Sequence, residues 1–422
     1  MNADLRDIPP HHSRDALVRL EQECGSRWKS DFPLLASSSI AYLDSAASAH
    51  KPKAMLDRVA EFFTRGYSNI HRGVYRLSEQ ATIDYEDARH AVQRFIGARS
   101  PEEIVFTRGT TESLNLVAAC FAERFVQPGD ELVVTVAEHH ANFVPWQIAA
   151  QRRGAVIRYV GVDQSGRIDV DELLSWLCAK TKLVAISQLT NAVGLPTSLR
   201  EIIDSAHRVG AKVVVDGAQG ICHLPTNVIA LDADFYAFSG HKLYGPTGIG
   251  ILYGKYELLE ELPPFLTGGD MIERVSVSGT TFQRPPQRFE AGTPHIAGAL
   301  GLKASLDYIG SIGRERIFAY EDRLVEYLVG LLLQIPQVKI LGPAGEHRGL
   351  VTFMVDGVHP HDLSQYLSSK DIAVRAGHHC AQPLLEHLKL QATTRASLGM
   401  YNTVDDVDRL IAAIQGAISF FR

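Results

Sequence analysis

The stretch Phe235-Tyr236-Ala237-Phe238-Ser239-Gly240-His241-Lys242-Leu243-Tyr244-Gly245-Pro246-Thr247-Gly248-Ile249-Gly250 organises the interpretation of this chain. It places Lys242 in a glycine-rich turn between two apolar runs that are typical of buried strands. A desolvated lysine loses its proton more readily, and the free amine is the form that makes Schiff bases. For a lysine considered alone, the commoner alternative is a turn side chain that reaches solvent. The choice between a reactive amine and a solvent-exposed turn lysine depends on the other stretches of the sequence.

Size and composition limit the classes of protein that this chain can be. It has 422 residues, of which 45% are hydrophobic and 21% charged, which predicts two or three domains with sizeable cores. The formal net charge of -6 argues against nucleic acid or an anionic membrane as the main partner. No apolar run approaches the ~20 residues of a membrane span, and the polar residues 1–15 carry no secretory signal.

The five cysteines are widely spaced, and no Cys-x-x-Cys pair occurs. This pattern predicts neither a disulfide framework nor a bound metal, and it favours a reduced cytoplasmic setting.

Short apolar runs alternate with helical patterns from Tyr42 to Tyr253, which predicts an α/β fold with a mostly parallel sheet. We expect residues 263–286 to be irregular and a second domain to begin soon after them. Ligands of such sheets collect beyond the carboxyl ends of the strands. Five polar residues lie just past predicted strand ends: Thr111, His139, Asn191, Asp216 and Gln219.

An imine-forming amine, an acid at a strand end and a phosphate-binding helix start together indicate pyridoxal phosphate. Lys242 would hold its aldehyde, and Asp216 would pair with the ring nitrogen. The helix that begins at Thr110 would offer N–H groups to the phosphate. His139 would stack on the ring and act as acid or base, and Gln219 would bond the ring hydroxyl. The side chains expected around the phosphate are Thr111, Ser239 and His241.

Cys380 forms a second candidate centre, because His378 and His379 precede it directly and Arg375 lies close before them. Cationic neighbours lower the pKa of a thiol, and the thiolate is the nucleophile. The alternative is a packed, inert cysteine. Arg395, on a predicted strand, is a candidate clamp for a substrate carboxylate, with a surface ion pair as the alternative. The cysteines expected to be structural are Cys24, Cys120, Cys178 and Cys222.

Seven motifs, in unbroken order from Tyr42 to the C-terminus, resemble the cysteine desulfurases, specifically the SufS/CsdA branch of class V, fold-type I pyridoxal-phosphate enzymes. They are Tyr-Leu-Asp-Ser-Ala-Ala (42–47), Arg-Gly-Thr-Thr-Glu (108–112), Ala-Glu-His-His-Ala-Asn (137–142), Asp-Gly-Ala-Gln (216–219), Ser-Gly-His-Lys (239–242), Arg-Ala-Gly-His-His-Cys-Ala-Gln-Pro (375–383) and Arg-Ala-Ser-Leu (395–398).

The resemblance implies a large domain with a mostly parallel seven-stranded sheet and a smaller α+β C-terminal domain. We place an N-terminal segment at residues 1–36, with a helix that packs on the small domain. The large cofactor-binding domain spans residues 37–300, and the small domain with the nucleophilic cysteine spans residues 301–422.

The resemblance also implies a role for each matching residue. Lys242, with His139, moves the α-proton of L-cysteine, and Asn191 and Arg395 hold its carboxylate. Cys380 takes the sulfur as a persulfide, and L-alanine leaves. The residues expected to bind the cofactor are Lys242, Thr110, Thr111, His139, Asp216, Gln219, Ser239, His241 and, reaching into the neighbouring subunit's site, Thr293.

The same resemblance implies a cytoplasmic homodimer that passes sulfur to an acceptor of SufE, CsdE or SufU type for iron–sulfur cluster assembly. The segment before Cys380 lacks the longer cysteine loop of the IscS/NifS branch, which implies low intrinsic turnover. The alternatives are a selenocysteine lyase acting on L-selenocysteine, another class V aminotransferase-like enzyme, and an inactive scaffold that binds a sulfur carrier. His359 and His361 are candidate contacts for a zinc-bearing acceptor, with helix capping as the alternative.

Overall fold

The structure is a computed structural model that describes residues 14–23 and 25–421. Helical spacing from Ser13 to Trp28, with Gly25 as its stop, predicts a helix near the N-terminus, but Ser13 and Cys24 lie outside the described residues. The α-helices are α1 (Arg14–Glu23), α2 (Gly25–Lys29), α3 (Pro33–Ala36), α4 (Lys53–Glu61), α5 (Arg76–Ile96), α6 (Thr110–Phe125), α7 (Val144–Arg153), α8 (Val170–Trp176), α9 (Leu199–Arg208), α10 (Gly220–His223), α11 (Val228–Leu231), α12 (Tyr256–Glu261), α13 (Ile296–Ile312), α14 (Arg314–Leu332), α15 (Pro360–Ser368), α16 (Gln382–His387) and α17 (Val404–Phe420).

The strands divide between a large sheet, a smaller sheet and two isolated pairs. They are β1 (Ala41–Tyr42), β2 (Ile104–Thr107), β3 (Glu131–Thr135), β4 (Val156–Val160), β5 (Thr181–Ser187), β6 (Lys212–Asp216), β7 (Phe235–Ser239), β8 (Gly250–Gly254), β9 (Ile272–Ser276), β10 (Gly279–Phe282), β11 (Val338–Leu341), β12 (Leu350–Val355), β13 (Ile372–Ala373), β14 (Arg375–Gly377) and β15 (Thr393–Ser397). Short 3-10 turns cover Pro101–Glu103, His140–Asn142, Gly240–Lys242 and Gln287–Phe289, and a π-helical segment covers Phe62–Gly66.

Seven strands form the large sheet in the order β2-β8-β7-β6-β5-β3-β4. All neighbouring pairs from β7 to β4 are parallel, and β8 runs antiparallel to both of its neighbours. The predicted α/β fold with a mostly parallel seven-stranded sheet is therefore confirmed. The run Val213-Val214-Val215 in β6 is buried completely, as expected for a strand covered by helices on both faces.

The C-terminal part builds an antiparallel sheet in the order β11-β12-β15-β14, against which α14 and α15 pack. Residues near the N-terminus contact this C-terminal part, because β1 pairs with β13 and Asp44 forms an isolated bridge to Ser397 of β15. Helix α1 contacts α14 and α17, and the Lys29 amine lies 3.1 Å from the Asp406 carboxylate. Helix α13 continues through residue 300, and the proposed division of the chain at residues 36 and 300 stays a prediction.

Several local expectations were wrong. The segment expected to be irregular contains the hairpin β9–β10, whose residues are mostly exposed and so show no hydrophobic alternation. Gly25 begins α2 instead of ending one longer helix. The run Ile372-Ala373-Val374-Arg375 predicts one strand, but the structure has two, because the chain changes partner there from β1 to β15. Helices α4, α7, α8 and α12 and strand β11 were not predicted.

Parallel strands end at one edge of the large sheet, and the residues after β3, β5 and β6 meet there. Gly250 allows strand β8 to pass close to the turn before α6. A Cβ on Gly250 would lie 2.3 Å from the Cα of Gly109, so the strand passes the turn before α6 only because that side chain is absent. The fold thus places a turn, a helix start and three strand ends around one space.

Candidate active site

A cavity of about 250 Å³ lies at this edge of the large sheet, where residues of β14, β15 and the loop between them also reach it. It brings together every predicted site residue except one. Those lining it are Thr110, Thr111, His139, Asn191, Asp216, Gln219, Ser239, His241, Lys242, Cys380 and Arg395. Thr293 instead lines a separate cavity with Arg108 and Glu112.

Lys242 ends the 3-10 turn that directly follows β7. Burial lowers the pKa of its amine below the ordinary value of 10.5, and the neighbouring Asp216 carboxylate opposes this shift. The turn is held in place from behind, since the carbonyl oxygen of His241 accepts from the Ala49 N–H and the Lys51 amine, each at 3.0 Å. The Lys242 amine therefore loses its proton more readily than an exposed lysine does.

Asp216 and Gln219 line the cavity beside that amine. Asp216 Oδ1 accepts from the N–H of Ala218 at 2.9 Å, and burial raises the pKa of this carboxyl. Gln219 Nε2 donates to Ala46 O at 2.9 Å and to Asn191 Oδ1 at 3.0 Å, whereas its Oε1 is buried without a protein partner. A buried acceptor without a donor costs free energy, so this oxygen marks a place where a ligand would donate.

The start of α6 forms another wall of the cavity. Both the N–H and the hydroxyl of Thr110 bond to Ser239 Oγ, at 2.8 and 2.7 Å, which ties the helix start to the end of β7. Thr111 and His241 complete this side. Burial, with the charge of Lys242, lowers the pKa of His241 to about 4, so its ring is neutral. A helix N-terminus with hydroxyl groups beside it is suited to a phosphate.

His139 lies between β3 and the 3-10 turn after it. Its Nδ1 accepts from the N–H of Ala141 at 3.0 Å, so the neutral ring carries its hydrogen on Nε2. Burial and the positive charge of Lys242 lower the pKa of His139 to about 3. At neutral pH the ring is therefore an uncharged hydrogen-bond donor at the cavity wall.

Glu138 directly precedes His139 and was not singled out from the sequence. Its buried carboxyl accepts from Thr135 Oγ1 at 2.8 Å, from Asn142 Nδ2 at 2.6 Å and from the N–H of Ser187 at 3.0 Å. Burial outweighs these bonds and raises its pKa to about 7. The only sequence signal was an acid immediately before the histidine pair. Two of its partners, Thr135 and Asn142, lie within four residues of it, and Ser187 comes from β5.

Arg395 on β15 is buried and partly free to bind a ligand. Its Nη1 donates to Asn191 O at 2.9 Å and to Asn191 Oδ1 at 3.1 Å. Its Nη2 lies 3.6 Å from Asp44 Oδ1, and its Nε is buried without a partner. Burial lowers its pKa to about 10, which leaves it charged at neutral pH. Nε therefore remains available on the edge that binds a carboxylate in a bidentate manner, whereas Nη2 is shared with Asp44.

Cys380 lies in the loop between β14 and α16, with an exposed thiol. Both His379 and Cys380 have positive φ angles, 52° and 55°, which is strained for residues other than glycine. Two bonds from the large sheet hold this loop. The His140 N–H donates to Cys380 O at 2.8 Å, and Asn191 Nδ2 donates to His379 O at 2.6 Å.

The expected cationic neighbours of the thiol are only partly present. Burial lowers the pKa of His379 to about 3, so this histidine is neutral. Arg375 lines the cavity with the thiol and pairs with Asp44 at 2.9 Å. The sequence indicates Arg375 only as a neighbour of the thiol, and Asp44 only as part of a motif.

The other described cysteines are free thiols. Cys120 and Cys222 are buried, and burial raises the pKa of each to about 12. Cys178 is exposed, and the structural role expected for it stays a prediction. His359 Nδ1 accepts from the N–H of His361 at 3.3 Å, which is the capping geometry. Within residues 14–23 and 25–421, no group of three or more metal-ligating side chains is assembled.

Known proteins resemble this chain over most of its length. The family described as aminotransferase class V matches residues 41–410. A cysteine desulfurase of Serratia proteamaculans is 48% identical over 394 residues, which covers 92% of this chain and 97% of that protein. A cysteine desulfurase of Escherichia coli O127:H6 is 47% identical over 392 residues, covering 92% and 96%.

Solved structures of cysteine desulfurases also resemble this chain. The crystal structure of the cysteine desulfurase CsdA (S-sulfonic acid) from Escherichia coli superimposes with a TM-score of 0.88 at 42% identity, covering 93% of this chain and 98% of that one. The apo cysteine desulfurase from Thermococcus onnurineus NA1 gives 0.90 at 40% identity, covering 94% and 98%. A C-DES mutant with glycine covalently linked to its PLP cofactor gives 0.80 at 25% identity, covering 92% and 98%.

The chain therefore belongs to the class V aminotransferase family, with the fold of type I pyridoxal-phosphate transferases. Within that family it is a pyridoxal-phosphate-dependent cysteine desulfurase, consistent with the SufS/CsdA branch. The predicted resemblance, enzyme class and cofactor are confirmed.

The site residues fit that cofactor. The cavity offers an amine of lowered pKa at Lys242, a buried carboxyl at Asp216, the unpartnered Oε1 of Gln219 and a helix start at Thr110. Over the described part of the chain, no helix combines the length and the apolar character needed to cross a membrane.

Proposed function

We propose that this enzyme transfers the sulfur of L-cysteine to Cys380 as a persulfide and releases L-alanine. The observation that carries this proposal is the shared cavity, since Lys242, Arg395 and Cys380 line one space although they are far apart in the chain. An amine for proton transfer, a clamp for the carboxylate and a thiol for the sulfur are the three groups that the reaction needs.

The substrate carboxylate binds at the Nε–Nη2 edge of Arg395, where Nε has no protein partner. Asn191 supports this position, because its oxygens hold Nη1 of Arg395 and its Nδ2 has a second hydrogen besides the one given to His379 O. With the carboxylate fixed there, the remainder of the substrate lies in the space that Lys242 and Cys380 line.

Pyridoxal phosphate, when bound, supplies an electron sink for the charge that loss of the α-proton leaves on carbon. Lys242 would hold it covalently, Asp216 would pair with its ring nitrogen and Gln219 Oε1 would accept from its ring hydroxyl. His139 would lie against the ring. The residues that would hold its phosphate are Thr110, Thr111, Ser239 and His241.

The chain's own groups move the protons and the sulfur. Neutral Lys242 accepts the α-proton, a role that its lowered pKa supports. The Cys380 thiolate attacks the substrate sulfur, so an S–S bond forms and the C–S bond breaks with its electron pair left on the carbon fragment. Protons returned to that fragment, with Lys242 and His139 as the nearby carriers, complete L-alanine.

The persulfide then passes to a thiol of an acceptor protein of SufE, CsdE or SufU type, for iron–sulfur cluster assembly by a SUF-type system. The exposure of Cys380 supports this step. The enzyme works as a cytoplasmic homodimer in which Thr293 reaches the neighbouring subunit's phosphate. The position of Thr293 outside its own chain's cavity supports that arrangement.

The test is the product balance with the cofactor-loaded enzyme. L-cysteine and a reductant should yield alanine and sulfide in equal amounts. An aminotransferase would give a keto acid instead, and a lyase restricted to L-selenocysteine would leave L-cysteine unchanged. Either of these results would contradict the proposal.

A further inference from the structure

The carboxylate of Glu321, on α14, joins two segments of the large-sheet region. Its Oε1 accepts from the Tyr244 hydroxyl at 3.0 Å, and its Oε2 accepts from His223 Nδ1 at 2.8 Å. All three side chains are buried, and none of them lines the active-site cavity. Any influence of Glu321 on the reaction is therefore exerted through its two partners.

Tyr244 belongs to the turn that carries the cofactor lysine, two residues after Lys242. Its φ angle is 59°, a strained value for a residue other than glycine, so this conformation needs support from its surroundings. The Tyr244 carbonyl accepts from Ser305 Oγ at 3.1 Å. The Tyr244 hydroxyl accepts from the Met400 N–H at 3.0 Å and donates to Glu321. Burial raises the pKa of this hydroxyl, so it keeps the hydrogen that it donates.

His223 belongs to the segment that forms another wall of the cavity. It ends α10, the short helix that begins directly after Gln219. Asp216 and Gln219, both in the cavity wall, thus lead into the helix that Glu321 holds. The ring is also confined by the backbone before β12, because a Cβ on Gly349 would lie 2.4 Å from it. Glu321 therefore binds a ring whose position is already restricted.

We propose that Glu321 is a positioning residue that fixes the Lys242 turn relative to the Asp216–Gln219 wall, so that the amine and the acid contact one cofactor. This rests on the roles proposed for Lys242 and Asp216. Without the carboxylate, a buried hydroxyl and a buried ring nitrogen lose their acceptor, and the link between the two segments is gone. The cofactor must then order the strained turn when it binds, and this ordering lowers its affinity.

The test removes each bond separately and measures the cofactor instead of turnover. The dissociation constant for pyridoxal phosphate is measured by equilibrium dialysis, and the orientation of the bound cofactor is followed by visible circular dichroism. Tyr244→Phe keeps the ring but loses the bond to Glu321, so it should bind the cofactor about tenfold more weakly, with an altered dichroism band. His223→Leu, which loses the other bond, and Glu321→Ala, which loses both, should change the same two quantities.

Tyr327→Phe is the matched control on the same helix. The Tyr327 hydroxyl donates to Asp408 Oδ1 at 2.7 Å, and neither residue lines the cavity. This variant loses the same kind of bond, and its loss of stability is compared with that of Tyr244→Phe by thermal unfolding of the cofactor-free proteins. It should keep the affinity and the dichroism of the wild type.

The proposal is overturned if Tyr244→Phe keeps the wild-type affinity and dichroism, or if Tyr327→Phe changes them equally. Where His223→Leu or Glu321→Ala does not fold, Tyr244→Phe and its control decide. A wild type in which borohydride traps no cofactor on Lys242 would refute the proposed function instead, which keeps the two failures distinct.

Discussion

The main-chain N–H of His140 donates to the carbonyl oxygen of Cys380 at 2.8 Å. A second bond joins the same two segments, from the N–H of Gln382 to His140 Nε2 at 3.2 Å. The turn after β3 therefore fixes the backbone of the cysteine loop at Cys380 itself and at Gln382. Because this loop is short and pinned, the thiol is presented at the cavity while its backbone is held in a strained conformation.

Replacing the nucleophile should separate sulfur transfer from cofactor binding. Cys380→Ala should keep the visible absorbance of the bound cofactor but lose at least about a hundredfold in sulfide release, because no thiolate remains to attack the substrate sulfur. Cys178→Ser is the matched control, since it removes the other exposed free thiol of the described chain and should leave the rate unchanged. Sulfide release by Cys380→Ala at the wild-type rate would refute the persulfide route.

Lys242 should be the residue that carries the cofactor. After borohydride reduction, mass spectrometry should find the adduct on the Lys242 peptide of the wild type and no adduct in Lys242→Ala. The rate should fall about 10²–10⁴-fold, because the proton carrier is lost. Lys53→Ala is the control, since this exposed lysine pairs with Asp57 on α4, does not line the cavity and should leave the adduct and the rate unchanged. An adduct at normal yield in Lys242→Ala would exclude the assignment.

Asn191 should link the carboxylate clamp to the cysteine loop. Asn191→Ala removes the bond to His379 O and one acceptor of Arg395, so kcat/KM for L-cysteine should fall about 10–100-fold. The loosened loop should also expose Cys380, and its alkylation by iodoacetamide should be faster. Asn227→Ala, which removes an exposed helix cap, is the control and should change neither quantity. Unchanged alkylation would argue against a loop-holding role.

Glu138 gives a prediction about stability and pH. Burial raises its pKa from 4.5 to about 7, so the folded protein holds a proton that the unfolded chain releases in this range. The stabilisation is complete below about pH 4.5 and is lost as the pH rises through about 7. The free energy of unfolding of the wild type minus that of Glu138→Gln should fall by about 2–3 kcal/mol between about pH 5 and 8. The subtraction removes the contribution of the other titrating groups. A difference that stays flat or rises with pH, measured by thermal unfolding, would contradict this.

The strands and the cavity were predictable for a local reason. Buried parallel strands read as β-branched runs that stop at polar residues, and ligands collect where such strands end. Asp216 after Val213-Val214-Val215 shows both signals within one short stretch. The lysine turn and the cysteine segment became interpretable once their motifs were considered together.

Other parts of the site depend on contacts that no local pattern reveals. Asp44 and Arg375 are 331 residues apart in the chain, and their pairing follows only from β1 and Asp44 joining the C-terminal strands. Glu138 also accepts from the N–H of Ser187 on β5, 49 residues away in the chain. The positive φ angles of His379 and Cys380 carry no glycine signal, and the exposed hairpin β9–β10 lacks the alternation by which strands are recognised.

The central claim is that sulfur from the substrate reaches the thiol at position 380. The most direct measurement is mass spectrometry of the cofactor-loaded enzyme after L-cysteine is added without reductant or acceptor. The account predicts that the peptide containing Cys380 gains the mass of one sulfur atom, that this gain disappears on adding a reductant, and that alanine forms in equal amount. Alanine formation with no added sulfur on that peptide, or with sulfur on another cysteine, would contradict it.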